Sequence, residues 1–118
     1  MSANVSFGQN SRFKIGWITL LIIAALMALG HFSLIFFFMD ELILFAGLAF
    51  SNLYAFLVIY IPFRRGEKWA WVATWLLPGL ALLIAAANPA IAIYYYGVAA
   101  ICVLGLLLTR QHFFSQAR

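Results

Sequence analysis

The sequence predicts an all-α fold: four transmembrane helices in an antiparallel bundle, built as two short-loop hairpins with both termini in the cytoplasm. Three observations carry this. Hydrophobic residues make up 67% of the 118 and charged residues 8%, whereas soluble domains hold roughly 45–50% and about 25%. A soluble domain this small lacks the polar groups to cover its surface, and a disordered chain lacks the apolar content, so both classes are excluded. The segments 15–39, 42–63 and 69–109 carry no formal charge, and the last is about twice the roughly 20 residues that cross the hydrocarbon. All seven Lys and Arg then fall on one face of a four-span arrangement.

The spans follow in order. The first, 15–39, runs through Phe36-Phe37-Phe38 and exceeds the 7–15-residue apolar region of a secretory signal. The second is 42–63, after the two-residue turn Asp40-Glu41. The long run must fold back, and Asn88-Pro89 is the place. Asn caps helices, and Pro suits a first turn, where its missing N–H costs nothing. This gives spans 68–87 and 90–110, with Pro78-Gly79 kinking the third. Residues 1–13 form a flexible cytoplasmic segment and 111–118 a cytoplasmic tail. Connections this short make neighbouring helices antiparallel.

Orientation comes from Arg12, Lys14, Arg64, Arg65, Lys68, Arg110 and Arg118 on one face, against Asp40 and Glu41 on the other. Positive loops stay cytoplasmic, and a three- or five-span count would scatter these cations. Trp17, Trp69, Trp71 and Trp75 lie near the same face, at headgroup depth. Lys14-x-x-Trp17 and Lys68-x-x-Trp71 open two hairpins that end at Arg64 and Arg110. The pattern fits a duplicated hairpin, but the general need for a cation and a Trp at such helix ends accounts for it more simply.

The site candidates are few. His31 is the ionisable side chain well inside the bilayer, about 12 Å below the outer interface at 1.5 Å per residue. Ala24 and Ala28 share its face and let another helix approach. It reads either as an axial ligand or proton-relay group or as a neutral imidazole bonded between helices. Asn52, at similar depth in the second span, can reach it, and either binds a ligand or joins helices. Ser51 is grouped with them. Gly47, Ser51 and Ala55 form a small-residue packing stripe, as do Ala49, Asn52 and Ala55. In the fourth span, Gly97 and Gly105 share a face with Tyr94 and Ile101. Consecutive Tyr94, Tyr95 and Tyr96 point about 100° apart, so at least one faces lipid or a partner. His112 is an interfacial residue. Lone Cys102 rules out a dithiol redox pair.

The loop Arg64-Arg65-Gly66-Glu67-Lys68-Trp69-Ala70-Trp71 has Gly66 for a tight reversal and Glu67 where acid suits the helix dipole. Arg64, Arg65, Lys68, Trp69 and Trp71 form a surface for anionic headgroups or an acidic partner. This string resembles the RRGE(K/R)WAW loop of small four-helix bacterial membrane proteins, loosely DoxX-like in size and layout. The resemblance implies the fold and a bacterial inner-membrane setting, and transfers no catalytic residue. Small multidrug transporters match in size but need a carboxylate within the first helix, and Ala24–Gly30 has none.

The sequence shows no metal cluster, nucleophile–base pair or buried acid pair. The expected function is therefore a non-enzymatic accessory or assembly subunit of a larger membrane complex, self-associating or joined to other subunits. It requires no cofactor or metal, with a lipid or hydrophobic cofactor near His31 as its one ligand. The alternative is a small oligomeric transporter of a cation or hydrophobic amine.

Overall fold

The computed structural model describes residues 3–114, with side chains from Ser11 onward. Five α-helices make up the chain: α1 (Ala3–Phe37), α2 (Leu42–Val58), α3 (Lys68–Thr74), α4 (Leu76–Ala87) and α5 (Ala92–Phe114). Short 3₁₀ turns at Met39–Glu41 and Pro89–Ile91 join the hairpins, and a π-helical turn at Ile59–Phe63 extends α2. Grouped by span they give four helices long and apolar enough to cross a membrane: Ser11–Phe37, Met39–Phe63, Lys68–Ala87 and Pro89–Phe114. The fold is that of an integral membrane protein, as composition demands.

Element ends depart from expectation at both termini and within the third span, whereas the fold-back at Asn88-Pro89 falls where expected. Residues 3–13, expected to be flexible, are already helical. A membrane helix supplies the costly nucleus, and no Pro stops it from growing into the polar segment. At the far end α5 reaches Phe114, while Met1, Ser2 and 115–118 lie outside the described residues. Asn88 ends α4, with Pro89 in the first position of the next turn, but its side chain makes no cap bond. The third span breaks at Trp75, one residue past Thr74, the i−4 position where the Pro78 ring collides with the backbone.

The two hairpins are built alike. Phe38 (φ −131°, ψ 67°) and Asn88 (φ −137°, ψ 88°) interrupt the backbone in nearly the same conformation before each 3₁₀ turn. Near the other end, the Trp17 indole donates to Ile59 O at 2.7 Å and the Trp71 indole to Leu106 O at 3.0 Å. Each first helix is thus fastened to the end of its own second helix. The acceptor at Ile59 sits in the turn containing Pro62, whose missing N–H disrupts the regular ladder. Trp17→Phe and Trp71→Phe are each expected to cost about 1 kcal/mol. In reversible unfolding in mixed micelles the two losses should add, because separate hairpins are affected.

Packing around the bundle is uneven. α1 lies against α2 and α5, and α5 against α4, whereas α2 meets α3 only near their connecting loop. Between α1 and α5 the backbones nearly touch: a Cβ on Gly16 would stand 2.6 Å from Gly105 O and 2.7 Å from Thr109 Cγ2. Val58 and Phe63 from the second span and Ala70 and Leu77 from the third belong to the buried core. The buried core, including Leu20, Ile59, Phe63, Cys102 and Leu106, gathers at the end bearing the basic residues. Toward the hairpin turns the helices present Phe36, Phe37 and Ile43 outward, up to 88% exposed. Gly66, at φ +81°, makes the reversal between Phe63 and Lys68, a conformation that costs other residues roughly 1–2 kcal/mol.

Candidate functional site

Three helices bring a polar cluster together in the apolar interior. His31 from α1 is 3% exposed and Asn52 from α2 is 1% exposed. Tyr95 from α5 completes it, its hydroxyl 3.0 Å from His31 Nε2, while Asn52 Nδ2 stands 3.2 Å from His31 Nδ1. Asn52 Nδ2 also donates to Leu48 O at 2.8 Å. That bond fixes the amide's orientation, because a carbonyl only accepts. Asn52 Nδ2 and Tyr95 Oη thus bracket the ring, and its tautomer sets the directions: with Nδ1 accepting the second amide hydrogen, Nε2–H donates to Tyr95 Oη.

This geometry limits the chemistry. Both imidazole nitrogens are engaged, and the cleft beside His31 has a volume of about 10 Å³, room for one water at most. An axial ligand role requires breaking the Tyr95 bond and opening the helices by the width of a macrocycle. A proton relay stops at Asn52, because an amide passes no proton. Among the described residues no group of three or more His, Cys, Asp or Glu could hold a metal ion. The cluster joins three helices, each bond worth roughly 0.6–1.7 kcal/mol in a membrane.

Behind Asn52 lies a different space. Where the second and third spans diverge, a groove of about 490 Å³ opens between α2 and the α3–α4 helix. Ser51, Ala55, Ala73 and Gly79 leave room along its walls, and Leu77, Leu80 and Leu83 make it apolar. Asn52 belongs to both spaces, facing His31 on one side and the groove on the other. Thr74 also lines the groove, its hydroxyl donating to Ala70 O at 2.6 Å. Ser51 is exposed and faces the groove, away from His31.

Several expected faces are rearranged. The packing face of α2 runs through Ala49 and Asn52, whereas Gly47 and Ser51 are exposed and a Cβ on Gly47 would touch nothing within 4 Å. The stripe read through Gly47 and Ser51 is therefore not a helix contact. Gly105 packs against Leu20, but Gly97 is open and Tyr94 and Ile101 point outward. Of the three tyrosines Tyr95 turns inward, while Tyr94 and Tyr96 are 73% and 54% exposed.

The basic loop is likewise divided. Trp71 is committed to Leu106 and to the packed interior. Trp69, 53% exposed, donates to Glu67 at 2.6 Å, and Arg65 lies 3.8 Å from the same carboxylate. The Glu67 carboxylate serves these neighbours rather than the helix cap. Arg64 sits 5.5 Å over the Trp17 ring, and Lys68 and Arg110 flank Phe114 at 5.7 and 6.0 Å. His112 stacks on Phe13 at 3.9 Å.

Comparison with known proteins gives no match to any family model, curated protein or solved structure. Functional inference therefore rests on the chain's own residues.

Proposed function

We propose that this protein is a non-enzymatic accessory subunit of a larger membrane complex, and that it holds an apolar chain in the groove between its second and third spans. The observation that carries this is the one-sided closure of the bundle. Three helix pairs are packed, the fourth is held apart, and the resulting space lies in the apolar part of the spans. Spread over the roughly 10–15 Å of helix that lines it, 490 Å³ is a channel of about 40 Å² in section. A helix with side chains is 10–12 Å across, about twice that section, so the space suits a lipid chain better than a whole partner helix. The exposed Phe residues near the hairpin turns supply area for contacts with other subunits.

The setting proposed is a bacterial inner membrane with both termini cytoplasmic. The one-sided distribution of cations and the RRGEKWAW loop support it. In that orientation Arg64, Arg65, Lys68 and Trp69 meet the anionic leaflet, where each cation contributes about 1 kcal/mol.

Filling the groove tests the reading. Ala73→Trp places a large ring in it, and native mass spectrometry of the chain released from membranes should show lipid occupancy at least halved. An unchanged lipid complement would contradict the proposal.

A further inference from the structure

Resting on the groove reading, we infer that the ligand carries a hydrogen-bond donor, a hydroxyl or amide N–H, that meets Asn52 Oδ1. The donor bonds of Asn52 are both spent, one on Leu48 O at 2.8 Å and one on His31 Nδ1 at 3.2 Å. Together they lock the side chain and leave Oδ1 facing elsewhere. No donor among the described residues reaches that oxygen. It is not sealed inside the protein either, because every fully enclosed side-chain nitrogen and oxygen among the described residues has a partner. The cleft on the His31 side presents only apolar surface, and Asn52 also lines the groove, so the geometry points to Oδ1 meeting the groove through the sliver of surface that Asn52 leaves exposed.

An acceptor at this depth has few partners. Asn52 lies about 16–20 Å along the helix from either end of the span Met39–Phe63. Water does not occupy the hydrocarbon core, and an unsatisfied carbonyl there is costly. The neighbouring Thr74 hydroxyl has its hydrogen committed to Ala70 O. Acceptor-only ligands such as quinones or ketones gain nothing at Oδ1. Ammonium cations are excluded for another reason: no acidic side chain among the described residues lines the groove, and an unpaired charge at this depth is expensive. What remains is a neutral apolar molecule whose donor sits at mid-membrane depth, such as a long-chain alcohol or a hydroxyl-bearing lipid wholly embedded in the hydrocarbon.

The test compares two probes on the full chain in detergent: cetyl alcohol and its methyl ether, with bound fractions read by native mass spectrometry. The chains are the same, but only the alcohol donates. The alcohol is expected to bind about fivefold more tightly, and Asn52→Leu should erase that preference while still binding the ether. Equal binding of the two probes to the wild-type chain overturns the donor assignment and leaves the groove standing. Binding of neither overturns both. A preference that persists in Asn52→Leu also overturns it, by placing the acceptor elsewhere. Should that variant not fold, the wild-type comparison decides alone.

Discussion

Gly16→Ala is expected to destabilise the protein by about 2–3 kcal/mol, because its new methyl meets the tightest surroundings among the glycines of residues 11–114. The new Cβ would lie 2.6 Å from Gly105 O, 2.7 Å from Thr109 Cγ2 and 3.2 Å from Leu108 Cβ. Two of those obstacles are rigid: a backbone carbonyl, and a methyl whose own hydroxyl is bonded to Gly105 O and Leu106 O. Relief requires moving α1 away from α5, which also disturbs Leu20 packed on Gly105. Overpacking of this kind costs about 1–3 kcal/mol, and backbone involvement places the site at the upper end. Gly97→Ala is the control, because a Cβ there meets nothing within 4 Å. It should be neutral or slightly stabilising through helix propensity. Reversible unfolding of both variants in mixed micelles reads the difference.

The second large effect is at His31. His31→Ala should cost about 2–4 kcal/mol, by opening a cavity in a buried position and leaving the Asn52 amide hydrogen without its acceptor. Tyr95→Phe is gentler, about 0.6–1.7 kcal/mol, because it removes one hydroxyl from the end of the chain. The pair should be non-additive: without the imidazole, the Tyr95 hydroxyl has lost the same bond, so the double variant should fall short of the sum by about 0.5–1.5 kcal/mol. Full additivity in a double-mutant cycle would mean that the three side chains do not act as one unit.

Much of this architecture can be read from residues alone, for a physical reason. The bilayer requires long apolar segments and sorts charge to one side, so the spans, the turns at Asp40-Glu41 and Asn88-Pro89 and the reversal at Gly66 are all marked in the chain. His31 and Asn52 are legible too, because polar side chains in hydrocarbon have to find each other. What is not legible is which apolar face looks inward. In a soluble helix the polar face identifies the other as core, whereas here lipid and protein interior are equally apolar. For this reason Gly97 and Gly105 look equivalent in sequence and are not, and Gly47 and Ser51 resemble a packing stripe, yet Gly47 is open and Ser51 faces the groove. The close approach of α1 to α5 at Gly16 carries no mark beyond the glycine itself. Tyr95 is one of three adjacent tyrosines, and only the rotation of α5 selects it. The groove is a property of two helices failing to meet, and no local pattern encodes that.

The most direct measurement is residue-level photolabelling of the reconstituted protein by a phospholipid bearing a diazirine in its acyl chain. If the second and third spans stand open, Ala55 and Ala73 should be labelled along with Leu83, while Ala24 and Ala99, buried against neighbouring helices, stay clean. Protection of Ala55 and Ala73 to the level of Ala24 would show the bundle closed on that side and would contradict the groove, the chain it holds and the donor that meets Asn52.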